Sequence, residues 1–374
     1  MKKTYMIALC LLTLSGSVSA QNTIAIGESF IDEPSTSAGV VVDSYVADYP
    51  EIQAWDQLLK DKWVGDPIFH VDTSAMNVFG YDVDSRPVFH DSVYINRIEE
   101  LNQATPFNLS YNRHVRSTIN HYTGRGRLVT SRVLGLAEMY FPMIEEILER
   151  EGLPLEMKYL AIVESALKPK ARSRAGATGL WQFMYGTAKE NGLKINSYVD
   201  ERMDPIKSTE AACKYLKFLY GLYGDWGLAL AAYNSGPGNV NKAIRRSGGK
   251  KDYWGIWNWL PRETRGYIPA FIAVNYVMNY NVEHNIFPTA PPRNYFEFDT
   301  VQVKGSYNFA QIAAYTGASI EELNWLNPSY KKGFIPQSMK GSTLMLPVED
   351  VGLFIMNEEK IRSHQTTVSS VPAA

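Results

Sequence analysis

Across 374 residues there are only two cysteines, six histidines and a net charge of −2. Each scarcity excludes something. Cys10 lies in the first apolar run, so once that segment is removed Cys213 stands alone and no intrachain disulfide can form. The fold must then rest on packed cores, which a chain of this length can supply as two or three units. With histidine sparse and no HxxxH-type pair or phosphate loop, neither a metal site nor a cofactor is expected. The lack of a basic excess argues against a nucleic-acid partner. No apolar run reaches the roughly 20 residues that cross a bilayer.

What is present begins with a targeting signal. Lys2 and Lys3 precede the run YMIALCLLTL, and Val18, Ser19 and Ala20 supply a small-residue end, so residues 1 to 20 read as a secretory signal peptide cleaved after Ala20. Leu9 before Cys10 speaks against lipid attachment. The mature chain is expected to be exported and to lack a transmembrane segment.

The near-neutral total conceals opposed blocks. Residues 21 to 150 carry 10 basic and 19 acidic side chains, residues 151 to 290 carry 18 and 12, and residues 291 to 374 carry 7 and 8. A basic middle block on an exported protein suits an anionic extracytoplasmic polymer.

Pattern divides the chain along similar lines. Residues 21 to 50 are rich in small polar residues and read as an extended lead-in. The whole stretch 21 to 105 has uncertain structure. From 106 to 150 the pattern is helical: Val115, Ile119 and Tyr122 share a face, Ser131 could cap a second helix, and Pro142 is expected to start a third. The PPR stretch at 291 to 293 reads as a linker. After it, residues 298 to 348 show a short strand, two short helices separated by Gly317, and a closing strand at 344 to 347, a β-α-α-β unit. Residues 349 to 374 read as a flexible tail.

The chemistry concentrates in 151 to 290. A helix over 154 to 168 places Met157, Leu160 and Glu164 on one face, so a carboxylate falls in an apolar stripe. Burial there would raise its pKa, the condition for an acid that holds its proton near neutral pH. The alternative is that Glu164 sits at a fraying helix end before Pro169. A loop with Ser173, Gly176, Gly179, Trp181 and Gln182 follows, then Tyr233 and Asn234 at the end of an apolar helix. Aromatic rings and amides beside helix ends suit sugars. Cys213, in AACKYLKFLYGLYG, reads as a small buried hydrophobe.

Four ordered motifs, Glu164-Ser165, Gly179-Leu180-Trp181-Gln182, Ala232-Tyr233-Asn234 and the ETRGY run ending at Tyr267, make residues 151 to 290 resemble the family 1 lytic transglycosylases. Trp181 at that position and the helical run before it resemble the membrane-bound lytic transglycosylase D subgroup. The resemblance implies a mainly α chain: a goose-type lysozyme-like (SLT) catalytic domain with a helical N-terminal extension. Residues 298 to 348 resemble a LysM module, which binds N-acetylglucosamine-containing glycans. Here Gly305-Ser306-Tyr307-Asn308 replaces the usual Gly-Asp-Thr-Leu.

The resemblance also implies a reaction and its residues. The substrate is peptidoglycan glycan, cleaved between N-acetylmuramic acid and N-acetylglucosamine to leave a 1,6-anhydro end, with Glu164 as general acid and then base. Ser173 would hydrogen-bond near that acid and the sugar, and Gln182 and Met184 would line sugar subsites. Tyr233 would orient Glu164 or the acetamido group, Asn234 would support its loop, and Tyr267 would close the cleft. The site would lie in the periplasm, with the cell wall or outer membrane as neighbour. Two other readings stand beside this one. A lysozyme-like muramidase could use water activated by Glu263 or Asp225, or the chain could be a non-catalytic wall-binding protein.

Overall fold

The computed structural model describes residues 76 to 291 and 293 to 364. The signal peptide, the lead-in over 21 to 50, the stretch 51 to 75 and the last ten residues of the expected tail lie outside the described residues. The rest is mainly α, with a small strand-bearing module at the C-terminal side.

Helix α1 (Asp91–Gln103) turns Tyr94 and Ile98 inward, four residues apart on one face. Asn112 caps α2 (Arg113–Thr123), its side-chain oxygen accepting from the amides of His114 and Val115. Val115, Ile119 and Tyr122 on that helix are fully buried. Helix α3 (Arg127–Arg150) is one continuous rod. Ser131 and Pro142 therefore begin no helix of their own, contrary to the sequence reading. Proline inside a helix removes one backbone hydrogen bond. The buried series Val133, Leu136, Tyr140, Ile144, Ile147 and Leu148 runs through Pro142 without a break, so tertiary burial carries the helix across it. Ser131, instead of capping, donates its hydroxyl to the Phe287 carbonyl. The segment around Phe287 crosses α3 so closely that a Cβ on Gly135 would lie 1.7 Å from the Thr289 carbonyl oxygen. Only glycine fits there.

A 3₁₀ turn at Leu155–Met157 leads into α4 (Lys158–Ser165). This helix is shorter than the span 154 to 168 expected from pattern. Ala166 and Leu167 adopt left-handed φ values of 49° and 59°, and Pro169 discourages helix at the residue before it. Helix α5 (Tyr185–Glu190) follows the glycine-rich loop. Helix α6 (Pro205–Tyr223) starts under an Asp204 cap and buries Cys213, whose thiol is pushed by burial up to about 12. Helix α7 (Trp226–Ser235) is capped by Asp225, and α8 (Pro237–Arg246) and α9 (Tyr253–Ile256) pack beside its end.

Helix α10 (Arg262–Asn279) is buried almost all round, from Gly266 to Val277. Such a helix needs neighbours on every side, and α1, α2, α4 and α7 provide them. One apolar core consequently runs from Tyr94 to Val277. The helical extension and the block that follows it share this core, so residue 150 marks no break in packing.

The C-terminal module pairs β1 (Phe298–Val303) antiparallel with β4 (Ser342–Pro347), and β2 (Tyr307–Asn308) with β3 (Phe334–Ile335). Helices α11 (Phe309–Ala313) and α12 (Ile320–Leu326) lie between, the first under a capping box of Asn308 and Gln311, the second under Ser319. The expected flexible tail is in fact helix α13 (Val348–Ser363) through most of its described part. Its sequence looks polar because only Phe354 and Ile361, 1% and 0% exposed, enter the module core. Tyr307, in the stretch that departs from the usual LysM motif, packs at a tilt against Phe354 and donates to Glu358 at 2.6 Å. The replacement Phe354→Ala should destabilise the module by about 3 kcal/mol. Scanning calorimetry of the full chain would show its transition at lower temperature; an unmoved transition would remove α13 from the core.

Candidate active site

Glu164 occupies the last turn of α4, part-buried, above the fully buried Met157 and Leu160. Burial pushes its carboxyl up to about 7, while the Tyr267 hydroxyl, which donates to Oε1, pulls in the opposite direction. The helix-end and apolar-face readings thus both describe it. Tyr267 reaches the carboxylate from the second turn of α10 and is 1% exposed. The part expected for it was to close the cleft; its hydroxyl meets the acid from within the core.

The loop after α4 is held by short backbone bridges. Thr178 pairs with both Arg172 and Phe183, and Ser173 N donates to the Ala177 carbonyl at 2.9 Å. Ser173 is exposed and its Oγ accepts from Ala177 N at 3.0 Å, which fixes its direction. Trp181 is wholly buried, donates from its indole to Thr209 at 2.9 Å, and anchors the loop in the core. Ser165 fastens the other side, its hydroxyl reaching the Leu180 carbonyl at 2.9 Å. Gln182 takes a left-handed φ of 45° and spends its amide nitrogen on the Gly179 and Ala171 carbonyls at 2.9 and 3.2 Å. Met184 stands 46% exposed at the start of α5. Of the four non-glycine residues with positive φ among the described residues, Ala166 and Leu167 follow Glu164 and Gln182 lies in this loop. Left-handed backbone at ordinary residues costs energy and gathers at functional sites.

Tyr233, expected to orient Glu164 or the acetamido group, donates to the Trp181 carbonyl at 2.8 Å. Its ring packs against Tyr215 and Phe183 at 5.5 and 6.3 Å. Burial and, second, the Glu164 charge hold its phenol well above the usual range, which places the two in one electrostatic environment. Asn234 is half-buried beside it. Two further carboxylates have other work. Asp225 accepts from Leu228 N at 2.7 Å as the cap of α7, and Glu263 is exposed in the first turn of α10, where the helix dipole favours it.

Pattern did not point to Asp200 and Arg202, which lie 4% and 7% exposed. They form a two-pronged ion pair at 2.8 and 3.0 Å, and the guanidinium also donates to the Gly176 and Phe183 carbonyls at 3.1 and 3.2 Å. Arg202 thus braces the loop from behind. Gly179 is pressed on the Arg202 carbonyl, 1.8 Å from where a Cβ would stand.

The site thus combines a recessed acid at a helix end, an aromatic loop anchored in the core and a tyrosine hydroxyl on the acid. Residues 142–254 match the family model of the transglycosylase SLT domain, and residues 297–363 that of the LysM-like domain of lytic transglycosylase MltD. The two matched spans follow one another along the chain without overlap. It is 33% identical over 213 residues to membrane-bound lytic murein transglycosylase D of Escherichia coli K12, covering 56% of this chain and 44% of that protein. Over 121 residues it is 36% identical to the soluble lytic murein transglycosylase of Salmonella typhimurium, 30% of this chain and 19% of the relative. The crystal structure of the 70 kDa soluble lytic transglycosylase of E. coli aligns with a TM-score of 0.36 and 23% identity, over 69% of this chain and 40% of that one. The chain spans less than half the length of the two curated relatives described. Tyr267 lies beyond the matched SLT span.

The raised pKa carries a stability consequence. With a native value of about 7 against an ordinary 4.5, the folded chain keeps a proton that the unfolded chain has released, so stability falls as pH rises through that window. Glu164→Gln removes the buried charge. The variant should be more stable than the wild type at pH 8 by on the order of 2 kcal/mol, with the gap closing towards pH 4.5. Urea unfolding at the two pH values measures it.

Proposed function

We propose that this chain is an exported peptidoglycan lytic transglycosylase that cleaves the bond between N-acetylmuramic acid C1 and the O4 of N-acetylglucosamine. The observation that carries the reading is Glu164, a part-buried carboxyl with its pKa pushed up to about 7 and a tyrosine hydroxyl on Oε1. A group with that pKa holds enough proton near neutrality to act as an acid, and when ionised is basic enough to recover it.

In the first step Glu164 gives its proton to the leaving O4 as the C1–O4 bond breaks. The substrate's acetamido group stabilises the cationic centre left at C1. In the second, the C6 hydroxyl of the same sugar attacks C1 and Glu164 takes the hydroxyl proton, which forms the 1,6-anhydro ring and restores the acid. An intramolecular nucleophile benefits from proximity and needs no positioned water. Two-carboxylate glycosidases require a second carboxylate beside the bond. The capping duty of Asp225 and the exposed helix-start position of Glu263 make poor substitutes for one, which favours the one-carboxylate route over a water-using muramidase.

In this reading the surrounding residues have supporting parts. Tyr267 steadies the carboxylate, Tyr233 and Asn234 hold the floor of the loop, and Ser173, Gln182 and Met184 face the sugar. The +6 charge of residues 151 to 290 suits the lactyl and stem-peptide carboxylates of the wall. The LysM-like module, with glycan as its ligand class, fits the same polymer. Action in the periplasm at the wall follows from the signal peptide read at residues 1 to 20. Among the described residues no helix is long and apolar enough to cross a membrane.

Digestion of purified sacculi with the full chain, analysed by mass spectrometry, should release anhydro-ended muropeptides. Glu164→Gln should reduce that release by at least a thousandfold, and reducing ends in place of anhydro ends would assign the muramidase reaction. The first step needs the protonated acid, so initial rates should decline as pH rises through about 7. Tyr267→Phe removes a hydrogen bond that favours the ionised form. Its rate should be lower, with the alkaline limb displaced upward, as read from a pH–rate profile.

A further inference from the structure

The hairpin of residues 195 to 200 projects from the catalytic block into the C-terminal module. Asn196 N donates to the Val199 carbonyl at 2.8 Å to close its tip, and Val199 is 8% exposed within the module's own core, beside Phe309, Tyr330 and Leu344. The module grips it along the backbone: Asp200 N donates to the Ser329 carbonyl at 2.9 Å, and Lys331 N to the Tyr198 carbonyl at 2.9 Å. Lys331 Nζ adds a bond to the Asn196 carbonyl at 2.6 Å, and Tyr198 packs on Phe334 at 5.5 Å. Asp200 therefore has its amide held by one domain and its carboxylate paired to Arg202 of the other. That guanidinium donates to Gly176 and Phe183, either side of Gln182's turn. A second tie runs along another edge, from Lys170 Nζ, just past α4, to the Asn324 carbonyl at 2.9 Å.

We propose that the C-terminal module is a positioning element for the substrate loop: by gripping the hairpin at Val199 and Asp200, it sets the Asp200–Arg202 pair and thereby the geometry of residues 173 to 183. Asp200 and Arg202 are positioning residues, acting through the carbonyls of the loop and touching no sugar. The chain of contacts is continuous, from the Ser329 carbonyl through Asp200 and Arg202 to the loop, and every side chain in it is buried. The role is additional to any glycan affinity of the module. It implies that a module read from sequence as a separable anchor is part of the cleft's scaffold. The inference rests on the glycan-cleaving reading for its effect on turnover, but not for its effect on the loop.

The test uses the full chain with the double substitution Val199→Ala and Lys331→Ala, which loosens the grip while leaving the ion pair and Glu164 intact, and with Arg202→Lys, which keeps the charge but loses the fork. Hydrogen exchange should show the amides of Ala177, Thr178 and Phe183 exchanging at least tenfold faster in both, with α4 and α10 unchanged. On a short soluble glycan KM should rise threefold or more, with kcat within twofold and the alkaline limb in place. Wild-type exchange in the loop of the double variant, or a loss confined to kcat, would overturn the coupling. If the wild-type chain itself fails to cleave the glycan while the exchange pattern is as expected, the functional reading falls and the coupling stands.

Discussion

A helix that is apolar on all sides cannot lie on a surface, and α10 is such a helix. Its burial requires a shell, and the shell is the fold: α1 and α2 from the extension, α4 with the acid at its end, and α7 with Tyr233 at its close. The same requirement delivers the chemistry. Tyr267 sits on the buried axis, so its hydroxyl meets Glu164 from within the core and is shielded from water by the helices that α10 forces into place. A carboxyl placed against that core loses solvation whatever else surrounds it, and its proton affinity rises as a direct result of packing.

Much of this could be read in the residues. The face formed by Val115, Ile119 and Tyr122, the apolar setting of Glu164, and the bland role of Cys213 follow from periodicity, because burial repeats at helical spacing. The β-α-α-β unit was equally plain from its turns and short runs. Three features escaped for identifiable reasons. Pro142 is a local stop signal, and its neighbours' burial against distant helices overrules it. Helix α13 buries only two apolar side chains, Phe354 and Ile361, too few to show a pattern. That the Tyr267 hydroxyl meets a Glu164 oxygen while that of Tyr233 meets the Trp181 carbonyl is a matter of which hydroxyl arrives at which oxygen, and spacing along the chain contains nothing about that.

The Asp200–Arg202 pair belongs to a different category of illegibility. Charged residues two apart in a loop are ordinarily solvated, and nothing local distinguishes a pair that will be sealed under a neighbouring domain. Removing one partner of a sealed pair leaves an uncompensated charge, which is why such pairs transmit constraint as well as hold structure. The loop they brace carries positive-φ strain at Gln182, and strain of that sort persists only where the surroundings over-determine the backbone. The anchored Trp181, the Ser165 hydroxyl and the Arg202 fork are those surroundings.

Cys213, the free cysteine among the described residues, is sealed in α6 with its thiol held far from ionisation. Nucleophilic sulfur chemistry needs the thiolate, so that position is silent towards alkylating reagents and oxidants. A cysteine introduced at an exposed surface position would accordingly stand out from it in reactivity by orders of magnitude. Once the leading segment with Cys10 is removed, the chain is suited to spectroscopic probes across the seam between its two domains, without being stripped of its remaining sulfhydryl.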